Sequence, residues 1–440
     1  MANEPLRRLS RGALQALLAA EDGTSLPPWP QRLDPPAALA LSMTGRYGQG
    51  LDGFELEYQN GRLYAWPFAG GHRMRLRMEG ERLVSDGLLH SGQSWRWRNE
   101  NGQVSLQSGT ESDPKLWPRQ AEEAPPPRLP PRWQDLLGDY GWDHNTLTVL
   151  ERNGSLFVLI EWFFLYPLTE IGEDDFRFPS WGLYADEGLR FQRDDSGRVQ
   201  AVLVGPVRFL RRPAAERENQ ARLSPESLEA LRSTLPAATP PTGDRSDPIP
   251  DWVDLATLDP TLDLEIRYAG NQNPLGTAVY PQAKAFLQKQ AAEALARVHQ
   301  RLRPLGYGLL VLDAYQPWSV TRLIWHATPA EFRSFVAEPK TGSRHNRGMA
   351  VDLSLVRLTD GQEVTMPSNY GQYDSAAHPF FPGTTSLQRW HRDLLRRFME
   401  AEGFTVHPNK WWQFDYQGWR DWPLFDQSFD QIRASMAETD

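Results

Sequence analysis

A chain of 440 residues with a formal net charge of -9, 40% hydrophobic residues and no cysteine is long enough for two to four domains with packed cores. The charge argues against a nucleic-acid partner, which needs a concentrated basic surface. The missing cysteine excludes a disulfide framework, a thiolate metal site and a cysteine nucleophile.

At the N-terminus Leu6, Leu9, Ala13, Leu14, Leu17 and Leu18 recur at helical spacing, while Gln15 and the Glu21-Asp22 pair interrupt what a secretory signal keeps apolar. An amphipathic helix with a linker over residues 1–35 is expected. A cytoplasmic location is favoured, with the periplasm or export as the alternative. No apolar run reaches the roughly 18 to 20 residues that cross a bilayer, so no transmembrane segment is expected. The strongest run, Leu156 to Leu168, reads as buried strand.

An internal repeat follows. Gly45-Arg46-Tyr47-Gly48 returns as Gly138-Asp139-Tyr140-Gly141, and Asn60-Gly61-Arg62-Leu63-Tyr64 as Asn153-Gly154-Ser155-Leu156-Phe157, both 93 residues later. Asn101-Gly102-Gln103-Val104 matches Ser196-Gly197-Arg198-Val199 at an offset of 95. Each Asn-Gly or Ser-Gly lies between short aromatic and branched runs, the pattern of a hairpin turn that needs positive φ. Two antiparallel β meanders are therefore predicted, over 40–117 and 134–213, closing separately or as one barrel. Phe191 to Gly197 followed by Val207-Arg208-Phe209 resembles the lipocalin-like β domain found after serine-hydrolase (β-lactamase-like) domains. Pro-rich stretches over 118–133 and 214–250 read as linkers, the second with a short helix at Pro225 to Leu235.

From 251 to 440 helix and strand signals alternate, predicting an α+β domain. Leu287, Ala291, Leu295, Val298 and Leu302 keep to one helical face, and Gly308 to Leu312 is a strand running into Asp313-Ala314-Tyr315-Gln316-Pro317. A second helix is expected from Leu387 to Glu402, and the aromatic segment Lys410-Trp411-Trp412-Gln413-Phe414 follows it. Within Ser343-Arg344-His345-Asn346-Arg347-Gly348-Met349-Ala350-Val351-Asp352, His345 and Asp352 can place two zinc ligands on a loop and the strand after it. A catalytic zinc takes three protein ligands and a water, so this stretch supplies at most two of them.

These blocks in order, with Ile266-Arg267-Tyr268, Asn273, Gly276 and Tyr280 ahead of them, resemble the zinc D-alanyl-D-alanine dipeptidases of the vancomycin-resistance type over residues 252–425. The resemblance implies zinc held by His345 and Asp352, with Ser343 and Tyr315 as substrate-pocket residues. In that family a Glu-Trp-Trp-His block supplies the general base and the third ligand, positions that here carry Lys410 and Gln413. An arginine implied to stabilise the oxyanion is replaced by Gln316, and the aspartate that holds the substrate amine has no match in register, Asp374 lying three residues on. The expectation is a dipeptidase-like pseudoenzyme that has lost zinc or binds it weakly, with a Lys410–Asp352 ion pair standing in for the metal. It retains affinity for a small dipeptide or peptidoglycan-derived ligand.

The alternatives are an active zinc dipeptidase whose site is completed elsewhere, with His326, His378, His391 or His407 as ligand and Glu363 or Asp415 as base, and an interaction module acting through the β repeats. The sequence fixes no oligomeric state.

Overall fold

The computed structural model describes residues 3–25, 31–86, 93–109, 113–120, 125–161, 163–212, 222–241 and 248–437. Parts of the two expected linkers, 121–124, 213–221 and 242–247, lie outside the described residues, as do the side chains of 3–11. The chain forms two compact units, one of Met1–Ala124 with Pro131–Arg212, the other of Pro125–Pro130 with Pro213–Asp440. Among the described residues no helix is long and apolar enough to cross a membrane.

The first unit opens with a helix over Asn3–Glu21, and apart from a short helix at Ala37–Met43 and a 3-10 turn at Pro131–Leu136 its regular structure is antiparallel β. Eight strands between Gly45 and Pro118 form one sheet whose first and last strands meet at a bridge between Tyr47 and Arg119, so the sheet nearly closes on itself. In the second repeat a bridge between Tyr140 and Arg211 joins the first strand, Gly138–Trp142, to the last, Val207–Leu210. The second repeat is thus two five-stranded sheets linked by that bridge, and the first of them takes Gly71–His72 of the first repeat as its edge strand against Phe164–Pro167, so the two repeats share a sheet without forming one barrel.

The repeat is visible in detail. Tyr47 and Tyr140 are both fully buried, and each donates its hydroxyl to the carbonyl four residues back, on Met43 at 2.8 Å and on Leu136 at 2.9 Å. Asn60-Gly61 and Asn153-Gly154 are two-residue hairpin loops with φ of 50° and 77°, and 54° and 80°. That pairing of positive angles is what the Asn-Gly dipeptide tolerates. The expected single strand from Leu156 to Leu168 is instead a hairpin of Ser155–Ile160 and Phe164–Pro167, turned at Glu161 with φ 50°. No glycine marks that turn, so the apolar pattern runs through it.

Gly48 is required by sterics. Its φ is +87°, and a Cβ there meets Asp52 O at 2.3 Å and Trp117 Cδ1 at 2.7 Å. Gly48→Ala is expected to destabilise the first unit by roughly 2 kcal/mol, combining left-handed strain with the clash. Urea unfolding measures this, and a loss below about 0.5 kcal/mol, the level of a neutral surface change, sinks it.

The second unit is built on a five-stranded sheet in the order Asp263–Leu264, Tyr307–Asp313, Ala350–Arg357, Lys410–Tyr416, Phe404–His407. The first pair is parallel and the rest antiparallel. Helices Lys289–Leu302 and Ser386–Ala401 bury Leu295, Val298, Leu302, Leu394 and Leu395 in one core with Leu309, Val311, Leu353 and Leu355 of the sheet. Thr385 and Gln388 close the start of the second helix in a reciprocal capping box. Leu287, expected on the first helix, belongs to a short strand, Phe286–Gln288, paired with Trp252–Asp254. In the second linker Pro225–Thr234 is helical, with Ser224 as cap.

Candidate metal centre

The three central strands place a polar row in an otherwise apolar sheet. Asp352 lies directly across from Asp313 on one neighbouring strand and from Gln413 on the other. Regular alternation would turn Asp313 to the opposite face, with Val311. A bulge between Val311 and Asp313 skips Leu312, so that Asp313 becomes the register partner of Asp352.

His345 comes from the loop before the Asp352 strand. A 3-10 turn over His345–Arg347 ends at Gly348, whose φ is +66° and where a Cβ would stand 2.3 Å from the Trp252 ring. Only glycine fits that corner, and the corner returns the chain so that His345 faces Asp352. His345 Nδ1 bonds Ala314 O at 2.7 Å, and its Nε2 stands 3.2 Å from Asp352 Oδ1.

Asp313, His345 and Asp352 each offer a ligand atom within 4.8 Å of the others, and all three are buried. Two donors each about 2.0 Å from a shared tetrahedral ion stand about 3.3 Å apart, close to the His345–Asp352 separation. Asp352 Oδ1 is buried and, beside its ion pair with His345, accepts no well-formed hydrogen bond. The donor chemistry and this oxygen both fit a divalent metal.

The charges are unevenly shared. Burial pushes the Asp313 carboxyl up, with His345 opposing and Asp352 adding to the shift. Burial acts on Asp352 in the same way, but His345, Lys410 and the Tyr370 hydroxyl outweigh it and hold its carboxyl low. Burial disfavours the His345 imidazolium, yet Asp352 and Asp313 raise it to about 9. Lys410 is shifted down by burial, with Asp352 and Asp415 acting against the shift.

A cavity of about 250 Å³ opens onto the cluster, and its walls include Gln316, Ser343, Arg344, His407, Lys410 and Gln413. Gln316 is buried, its Nε2 donating to Thr321 Oγ1 at 2.5 Å and its Oε1 accepting from the Tyr280 hydroxyl at 3.3 Å. Ser343 Oγ accepts from His345 N at 3.2 Å. Gln413 Nε2 donates to Asp415 Oδ1 at 3.0 Å.

Several expectations need correction. Tyr315 is a core residue and not a pocket wall: fully buried beside Trp252, it donates its hydroxyl to Gln427 O at 2.9 Å. The Lys410–Asp352 ion pair is not formed; His345 is the partner of Asp352, and Arg344 pairs with Asp415 at 3.4 Å. His326 and His378 are exposed, and His391 bonds Tyr307, so none of the three joins the cluster. His407 lines the cavity, with its Nδ1 accepting from Asn409 N. Glu363 pairs with Arg267 at 2.8 Å, and Asp374 caps the turn Ser375–Ala377.

Residues 250–433 match the M15 peptidase family, described as D-ala-D-ala dipeptidase. A D-alanyl-D-alanine dipeptidase of Escherichia coli (strain K12) is 32% identical over 179 residues, covering 41% of this chain and 91% of that protein. The chain belongs to the D-alanyl-D-alanine dipeptidase family. Dipeptidases of that name from Enterococcus faecalis and Streptomyces coelicolor are each 30% identical, over 34% of this chain and 83% of each relative. A solved structure titled "Crystal structure of SurE" aligns over 38% of this chain and 36% of that chain with a TM-score of 0.17 and 16% identity, too distant to support any conclusion.

Within this dipeptidase-family unit, Asp313 and Tyr280 stand in the sequence blocks that carry the resemblance but had no assigned part in the site, and Tyr370 had none either. Tyr280 bonds Asp313 Oδ1 and Tyr370 bonds Asp352 Oδ2, both at 2.9 Å. The available signal for Asp313 was a carboxylate ending a run of buried apolar residues from Tyr307 to Leu312.

Proposed function

We propose that the C-terminal unit binds a short D-alanyl peptide end in the cavity above Asp313, His345 and Asp352 and hydrolyses it feebly or not at all. The observation that carries this reading is Lys410. A half-buried cation lines the cavity at the position where the family resemblance places a glutamate base. A lysine ammonium has no lone pair with which to accept a proton from water. Gln316, at the position of the implied arginine, is neutral and already bonded to Thr321 and Tyr280.

The family implies zinc, which when bound acts as a Lewis acid on a peptide carbonyl. His345 and Asp352 would be among its ligands. The remaining walls then serve recognition. Lys410 and Arg344 attract a carboxylate, and Ser343 and Gln413 offer neutral hydrogen-bonding groups. A cavity of about 250 Å³ is smaller than the roughly 300–1,000 Å³ of drug-sized sites, which suits a dipeptide.

Isothermal calorimetry of the full chain with D-Ala-D-Ala, paired with an assay for released D-alanine, tests the reading. Saturable heat without release is expected. Release at 1 s⁻¹ or faster, the ordinary enzyme range, would restore the reading as an active zinc dipeptidase, which the three-donor cluster favours. No heat of binding would remove the recognition role.

A further inference from the structure

The geometry points to a ligand exchange at the metal site: Asp313 supplies the third protein ligand that position 413 no longer carries, giving a one-histidine, two-carboxylate centre for a divalent ion. Three observations converge on it.

The first is the cross-strand pair itself. Like charges directly opposite on neighbouring strands destabilise a sheet, and burial strengthens their repulsion. The fold nevertheless spends a bulge to bring Asp313 opposite Asp352, where regular alternation would have kept them on different faces. A cation between two carboxylates turns that repulsion into attraction.

The second is that each donor is held from behind. Tyr280 Oη and Ala314 N both donate to Asp313 Oδ1, at 2.9 and 3.0 Å. Tyr370 Oη donates to Asp352 Oδ2 at 2.9 Å, and His345 Nδ1–H donates to Ala314 O at 2.7 Å. Outer partners of this kind fix the orientation of metal ligands. Ala314 serves two donors at once, with its N–H on Asp313 and its carbonyl on His345.

The third is how Asp352 Oδ1 is held. Asp352 is 5% exposed and its Oδ2 accepts from Tyr370, while its Oδ1 stands 3.2 Å from His345 Nε2 in an ion pair without a well-formed hydrogen bond. A buried carboxylate oxygen rarely lacks such a bond, and a shared ion between Oδ1 and Nε2 would satisfy both atoms at that separation.

Gln413 is the competitor, since it is also across from Asp352. Its Nε2 is committed to Asp415, and its amide oxygen carries no charge. Two carboxylates neutralise a divalent ion fully, which a His-Asp-His set does not. The extra hard oxygen also extends the accepted metals from zinc towards manganese, because carboxylate ligands suit Mn²⁺.

The test is calorimetric titration of the metal-stripped full chain with Zn²⁺ and, separately, Mn²⁺. One ion per chain is expected. Asp313→Asn, which keeps an acceptor for Tyr280 and Ala314, should weaken binding at least 10-fold, since losing even an outer-shell partner of a metal ligand costs roughly 10- to 100-fold. Gln413→Ala should change it less than 3-fold. Near-ultraviolet circular dichroism checks that Asp313→Asn folds. If it does not, Gln413→Ala alone decides, because a 10-fold loss there overturns the exchange. So does wild-type protein that binds neither ion. No peptide enters this experiment, so its failure leaves the peptide-binding reading standing, and the calorimetry with D-Ala-D-Ala can fail without touching it.

Discussion

Lys410→Glu combined with Gln413→His is expected to raise D-Ala-D-Ala hydrolysis by roughly 10²- to 10⁴-fold, the usual worth of a positioned general base. The gain follows from what the two side chains do now. Lys410 presents a cation to the cavity and cannot accept a proton. Gln413 contributes a neutral amide beside Asp352 where an imidazole would add a strong nitrogen donor. Both positions lie on the strand Lys410–Tyr416, whose pairing to Ala350–Arg357 and Phe404–His407 does not depend on either side chain. Release of D-alanine by the metal-loaded double variant is the measurement. Turnover equal to wild type in a folded, metal-bound protein would refute the correspondence of these two positions with the family's base and third ligand.

Adding Gln316→Arg is expected to give less than the roughly 10²- to 10³-fold of an oxyanion donor. Gln316 is 7% exposed and enclosed by Thr321 and Tyr280, so a longer side chain must displace them before it reaches the cavity.

The difference between His345 and Asp313 explains which parts of the site were legible in the sequence. His345 and Asp352 sit in one short block with a glycine that only a tight corner needs, so their pairing is a local matter. Asp313 reaches the same point from another strand through a bulge, and a bulge leaves no local residue signature here. Read with regular alternation, Asp313 points away from the cluster. Tyr315 fails for a related reason: a tyrosine next to a site motif reads as pocket wall, whereas the chain after Asp313 buries it against Trp252. The repeats were legible because Asn60-Gly61 and Asn153-Gly154 need positive φ and carry the residues that permit it. The turn at Glu161 carries no such residue, and a hairpin was read as one strand. Patterns that fix the backbone locally are readable, while cross-strand register depends on partners far along the chain.

Acid is expected to weaken the second unit through His391 as the pH falls from about 6.5 towards 4. His391 is 4% exposed on the helix Ser386–Ala401, with Nε2 3.3 Å from the Tyr307 hydroxyl and Nδ1 3.4 Å from Thr365 O. Burial lowers its pKa to about 4, Arg357 adds to the fall, and Thr365 O opposes it. An unfolded histidine titrates near 6.5, so between the two values the unfolded chain binds the extra proton. Stability therefore rises with pH across that window, and the contribution is complete above about 6.5. A depression of this size corresponds to a loss on the order of 3 kcal/mol once the pH reaches about 4. His391→Leu removes the proton-binding difference along with the two hydrogen bonds. The variant should be less stable than wild type at pH 7, and the gap should close as the pH falls. Urea unfolding of both proteins between pH 4 and 7 measures this, and parallel pH profiles would show that His391 does not titrate differently in the folded and unfolded chains. His391 packs against Tyr307 at the far end of the strand that ends in Asp313, so a slope from this residue is separable from protonation at the metal cluster.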